Sequence, residues 1–150
     1  MEEELARMAS RAHGLVTRAE LLEAGITVAE IKHRLGKGAL LPVHRGVYRV
    51  GHSAPSTEAS YLAAVLACGK GALLTSRAAA YLVGILKGSP PAAEVTAPVM
   101  RRVPGVKTHR ADIDPRDATS FHGIPVTAVA RTLTDLAPLL ALDDLARACH

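Results

Sequence analysis

Five basic residues, Lys32, Arg34, Lys37, Arg45 and Arg49, fall between Ile31 and Thr57, and no acidic residue interrupts them. His33 adds a titratable donor to the same stretch, and Arg18 lies just upstream. Lys and Arg in a local run of one sign bind phosphate by charge and release its counterions. A His or Lys on a helix can also reach the edges of bases. A solvated helix face carries similar charges. The distinction rests on which elements hold the side chains. A second basic group, Arg101, Arg102, Lys107 and Arg110, surrounds a predicted hairpin. It reads either as a solvated loop or as an auxiliary phosphate contact.

Other chemistries lack their residues. The seven histidines form no pair with a second ligand pair at metal-site spacing. Asp112, Asp114 and Asp117 resemble a calcium loop, but Arg116 occupies a ligand position and Asp114-Pro115 fits a turn. No nucleophile elbow, phosphate loop or dinucleotide fingerprint is present. Gly88-Ser89 is followed by two prolines rather than a carboxylate pair. Cys68 and Cys149 form no disulfide framework, and Cys68 falls among apolar residues, as a packed thiol does. No catalytic residue, metal or cofactor is therefore expected.

The elements that must position the basic residues are legible. Thr17 precedes Glu20 by three residues, and Thr27 precedes Glu30 by three. Each pair matches a capping box, with apolar staple residues Val16 and Leu21, and Ile26 and Ile31. Gly25 falls between the two helices, where a left-handed residue ends the first. Two short helices around a tight turn form a helix-turn-helix. On the second helix Val28, Ile31 and Leu35 share an inward face, while Ala29 and His33 point outward. Residues 39–50 are β-prone and broken at His44-Arg45-Gly46, which predicts a hairpin, the wing of a winged helix.

The remainder reads as α+β. A first helix is expected over residues 2–12, and Leu15-Val16 forms a short strand against the wing. Residues 51–56 are turn formers and make a linker. A helix follows from Thr57 to Cys68, stopped by Gly69 and Gly71. Ser76 is expected to cap another helix through Val83. Period two then predicts strands at Glu94–Ala97 and Gly105–Arg110, joined by a hairpin loop, and at Ile124–Thr127. A helix runs through Ala137 with Val129, Leu133 and Leu136 inward and Arg131 paired to Asp135. A last helix starts near Asp143, and the chain stops mid-pattern at His150. The expected domains are a winged helix-turn-helix at 1–52 and a small α/β domain with a short β-sheet at 57–150, truncated or followed by a further domain. The acidic opening and the short apolar runs give no secretory signal and no membrane span, so the cytoplasm is the expected compartment.

Several motifs carry a resemblance. Gly14-Leu15-Val16-Thr17, Leu22-x-x-Gly25-Ile26-Thr27, Ile31-x-x-Arg34-Leu35-x-x-Gly38-x-Leu40 and Val43-His44-Arg45-Gly46-Val47-Tyr48 resemble the winged-helix region of the AbiEi family of antitoxin-like transcriptional regulators. Leu74-Thr75-Ser76-Arg77-Ala78-Ala79-Ala80 and Gly123-Ile124-Pro125-Val126-Thr127-x-x-x-Arg131-Thr132-Leu133-x-Asp135-Leu136-Ala137 are similar to that family as well. The resemblance implies the antitoxin of a type IV toxin–antitoxin (abortive infection) system. Such an antitoxin represses its own operon and opposes its toxin without necessarily binding it. Many relatives carry a further domain resembling a very-short-patch-repair endonuclease, and some have His where Ser76 stands. The expected partners are double-stranded DNA at the protein's own operator, a cognate toxin in function, and a second copy of the chain on DNA. The alternative is the DNA-targeting module of a very-short-patch-repair-like nuclease.

Overall fold

The computed structural model describes residues 2–51, 54–140 and 147–149. It divides into two compact units, Met1–Ala67 and Cys68–His150.

In the first unit α1 (Glu2–Ser10) opens with three acidic residues, which favour a helix N-terminus, and buries Leu5 and Ala9. It is shorter than residues 2–12. His13 and Gly14, both at positive φ, turn the chain into β1 (Leu15–Thr17). Then come α2 (Arg18–Glu23), α3 (Val28–Gly36), β2 (Leu40–His44) and β3 (Val47–Val50). The three strands form an antiparallel sheet in the order β1-β3-β2, so the strand expected at Leu15-Val16 does pair with the wing. Leu5, Ala9, Val16, Leu21, Ile26, Ile31, Leu40 and Tyr48 form one core, with Met8, Leu35 and Val50 packed against it.

Val28 departs from the expected pattern: it is 54% exposed. The staple explains why. Ile26, just before the cap, is buried in the core beside Ile31. The first helical residue, Val28, is left to solvent. Farther on, α4 (Thr57–Cys68) starts where Ser56 Oγ accepts the Ala59 N–H at 3.0 Å. Tyr61, Leu62, Ala63, Ala64 and Val65 are all buried, as in a helix apolar on every side.

The second unit is a mixed five-stranded sheet in the order β6-β5-β4-β8-β7. Its elements are β4 (Leu73–Leu74), α5 (Ser76–Leu82), β5 (Glu94–Ala97), β6 (Lys107–Arg110), a 3-10 turn (Pro115–Asp117), β7 (Ala118–Phe121), β8 (Ile124–Thr127) and α6 (Val129–Leu136). The hairpin expected between β5 and β6 is absent, because the two strands run parallel. Alternation fixes which face a residue takes but not the direction of its strand. β7 is an additional strand. It pairs with β8 through His122-Gly123, both at positive φ, the backbone of a type I′ turn. Ser76 does not cap α5: it is the first helical residue, and Thr75 holds the cap position without a side-chain capping bond, its hydroxyl paired instead with that of Thr96 at 3.1 Å. On α6 the buried residues are Thr132 and Leu136, while Val129 is exposed. Thr132 is turned inward because its hydroxyl bonds the Thr127 and Ala128 carbonyls and the Thr127 hydroxyl. The start of the helix expected near Asp143 lies outside the described residues; residues 147–149 are helical.

Candidate nucleic-acid interface

The turn between α2 and α3 is fixed by its own backbone. Ile26 N–H donates to the Leu21 carbonyl at 3.0 Å, and Gly25 N–H donates to Leu22 at 3.1 Å. With Gly25 at φ +90° this is a Schellman motif, and its apolar contact joins Leu21 to Ile26 in the core. Both threonines cap as expected. The backbone N–H of Glu20 donates to Thr17 Oγ1, and that of Glu30 to Thr27 Oγ1, each at 3.1 Å. The return bond differs from a full capping box. Each Thr hydroxyl donates to the Glu carboxylate, at 2.9 Å in the first pair and 3.1 Å in the second.

The whole first turn of α3, Thr27 to Glu30, is exposed. Val28, Ala29, Lys32, His33 and Gly36 fall on one outward strip, and Lys37 follows at the C-cap. Space is open around Gly36. The wing turn is Arg45-Gly46, with Gly46 at φ +76° and Arg45 exposed. The Gly46 carbonyl accepts the Arg18 N–H at 2.9 Å, so the wing tip is tied to the start of α2, where Arg18 is exposed. Burial holds the neighbouring His44 below the usual imidazole range, which favours its neutral form.

Not every expected residue joins this surface. Arg34 is turned inward, with its side chain 12% exposed and its guanidinium 2.6 Å from Glu2. That pairing and the Arg34 charge hold the Glu2 carboxyl below its usual range. Arg49 is half-buried in the central strand, opposite Leu15 and Leu41, on the sheet face away from Tyr48 and Val50. Its Nε is buried without an acceptor among the described residues.

The second basic group does not share one face. Lys107 and Arg110 alternate to opposite sides of the edge strand β6. The Arg101 guanidinium lies against Gly69. Lys107 instead borders a cavity of about 290 Å³ together with Thr75, Ser76, Glu94, Thr96, His109, Arg131 and Asp135, and with the apolar Ala111 and Leu139. Within it His109 Nε2 stands 2.6 Å from the nearly buried Glu94 carboxylate, and Arg131 Nε donates to Asp135 at 3.0 Å. Sequence reading found the Arg131–Asp135 pair from its spacing but not the Glu94–His109 pair, which joins two strands. Burial pushes the Cys68 thiol up, so it is not poised as a nucleophile. The aspartates near 114 form a turn: Asp114 accepts the Arg116 N–H at 2.9 Å. Among the described residues no group of three or more His, Cys, Asp or Glu could hold a metal, and no helix is long and apolar enough to cross a membrane.

Helix, strand, two helices around a tight turn, then a hairpin closing a three-stranded sheet: this α+β order agrees with that expected of a winged helix-turn-helix. Residues 3–51, which contain it, match the family described as "Transcriptional regulator, AbiEi antitoxin", the same family that the motifs of this region resemble. The match covers 49 of the 150 residues. No curated protein matches the chain.

Proposed function

We propose that the protein is a sequence-specific, double-stranded-DNA-binding transcriptional regulator, the antitoxin of a type IV toxin–antitoxin system, repressing its own operon. One observation carries this reading. The exposed strip of α3, with Lys32 and His33, is held to α2 by the Schellman turn at Gly25, and the bond from Arg18 N–H to Gly46 holds α2 and its Arg18 to the wing and its Arg45. In a winged helix the second helix of the pair enters the major groove. His33 and Lys32 then face bases and phosphate, while Arg18, Lys37 and Arg45 reach the backbone. Arg34 has another role, tying α1 to α3 through Glu2. The family match of residues 3–51 supports the regulatory and antitoxin parts of the reading. Opposition to the toxin does not require that the two proteins bind each other.

The test is binding to the duplex upstream of the protein's own gene across a salt series. Four phosphate contacts, from Arg18, Lys32, Lys37 and Arg45, predict a log–log slope of about −4. Arg45→Ala should lower that slope by about one unit and weaken all sequences alike. His33→Ala should change which sequences are selected and leave the slope in place. A salt-independent affinity overturns the reading. A wing variant that alters sequence preference reverses the two roles.

A further inference from the structure

Val28 has no role in the fold that its residue type explains. It is the most exposed large apolar side chain of the first unit's described residues, at 54%, ahead of Leu22 and Val43. A β-branched residue loses side-chain freedom in a helix, and Ala would serve an exposed first turn better. The inward position that Val28 would otherwise fill is taken by Ile26.

Its surroundings indicate what it meets. Ala29 beside it is also exposed, so the Val28–Ala29 side of the first turn of α3 presents methyl groups, while the Thr27 hydroxyl is turned to Glu30. Glu30, the acidic residue of that turn, is engaged by the Thr27 hydroxyl. Lys32 lies one turn on along the same edge and is exposed. An apolar tip followed by a cation one turn later matches a base edge followed by a phosphate. In the major groove one unmodified base offers an apolar group, thymine with its 5-methyl. The N-terminal residues of a recognition helix are the ones that reach base edges.

We propose that Val28 is a specificity-determining residue that packs its isopropyl group against the 5-methyl of a thymine in the major groove, with Lys32 anchoring the adjacent backbone. This rests on the DNA-binding reading above and adds to it the identity of one recognised base.

The experiment uses the full chain and a duplex obtained by binding-site selection from a randomised pool. Each thymine of that duplex is replaced in turn by deoxyuridine, which removes the methyl group and nothing else. The wild type should lose about fourfold in affinity at one thymine, the worth of one buried methyl group. Val28→Ala should bind the thymine duplex more weakly and show no deoxyuridine penalty at that position. The variant should fold, since the side chain faces solvent and Ala is the better helix former. A wild type indifferent to deoxyuridine throughout overturns the proposal while leaving DNA binding intact. So does a penalty that persists in Val28→Ala. Failure to select any duplex removes the DNA-binding reading and this proposal together.

Discussion

Ser76 holds an uncommon backbone. Its φ is +60°, where a Cβ is strained, yet it is no glycine. The residue is 5% exposed, and its hydroxyl is buried with no hydrogen-bond partner among the described residues. Each of these features costs about 1 kcal/mol or more. Ser76→Gly removes both the strained Cβ and the orphan hydroxyl, and gives back about 0.5–1 kcal/mol in unfolded-chain entropy. The expected net is a gain of about 1 kcal/mol, read as a higher urea midpoint at unchanged slope. Ser76→Ala, which keeps the Cβ, should gain less. A drop in the midpoint for Ser76→Gly would show that the side chain is held by a partner.

At the scale of the element, α3 depends on its cap more than α2 does. The first turn of α3 is exposed from Thr27 to Glu30, so little packing supports it. The first turn of α2 is also held by the bond from Arg18 N–H to the wing. Thr27→Ala should cost about 1 kcal/mol and fray the turn that presents Val28 and Ala29. Amide exchange of that first turn should accelerate, and DNA affinity should fall further than in Thr17→Ala. Equal protection in the two variants would place the support of α3 elsewhere. These caps, the staples and Gly25 were legible because each depends on residues within a few positions of itself. Strand direction was not: the parallel pairing of β5 with β6 is a non-local choice that alternation leaves open. The inward turn of Arg34 was hidden for the same reason, since its partner Glu2 comes from the first helix. β7 was missed because its turn is His122-Gly123, whereas the usual dipeptides of a type I′ turn are Asn-Gly, Asp-Gly and Gly-Gly. The outward turn of Val28 could have been read from the staple, since Ile26 and Val28 compete for one place beside Ile31.

Across the whole molecule, charge is better organised in the first unit than in the second. Exposed cations of α2, α3 and the wing share one framework. In the second unit Lys107 and Arg110 are split between the faces of β6, while His109 and Arg131 are each held by a carboxylate. That arrangement suits a polar cluster more than a phosphate track. The same contrast follows the family match, which covers residues 3–51.

The outer strand of the wing bears on how copies of the protein meet. β2 is an edge of its sheet, a row of groups that could pair with a strand from another molecule. Pro42 removes one donor from that row, and the register slips between Pro42 and His44. A proline in a sheet is tolerated where its nitrogen faces solvent, and a bulge bends the strand out of line. The wing edge is thereby unsuited to strand-to-strand aggregation, although its neighbours Leu41 and Val43 are β-prone. Pro42→Val restores the donor within an apolar, β-prone run. Sedimentation should then show stronger concentration-dependent self-association than in the wild type, with the fold retained. Two copies brought together on one operator would have to meet through some surface other than this edge.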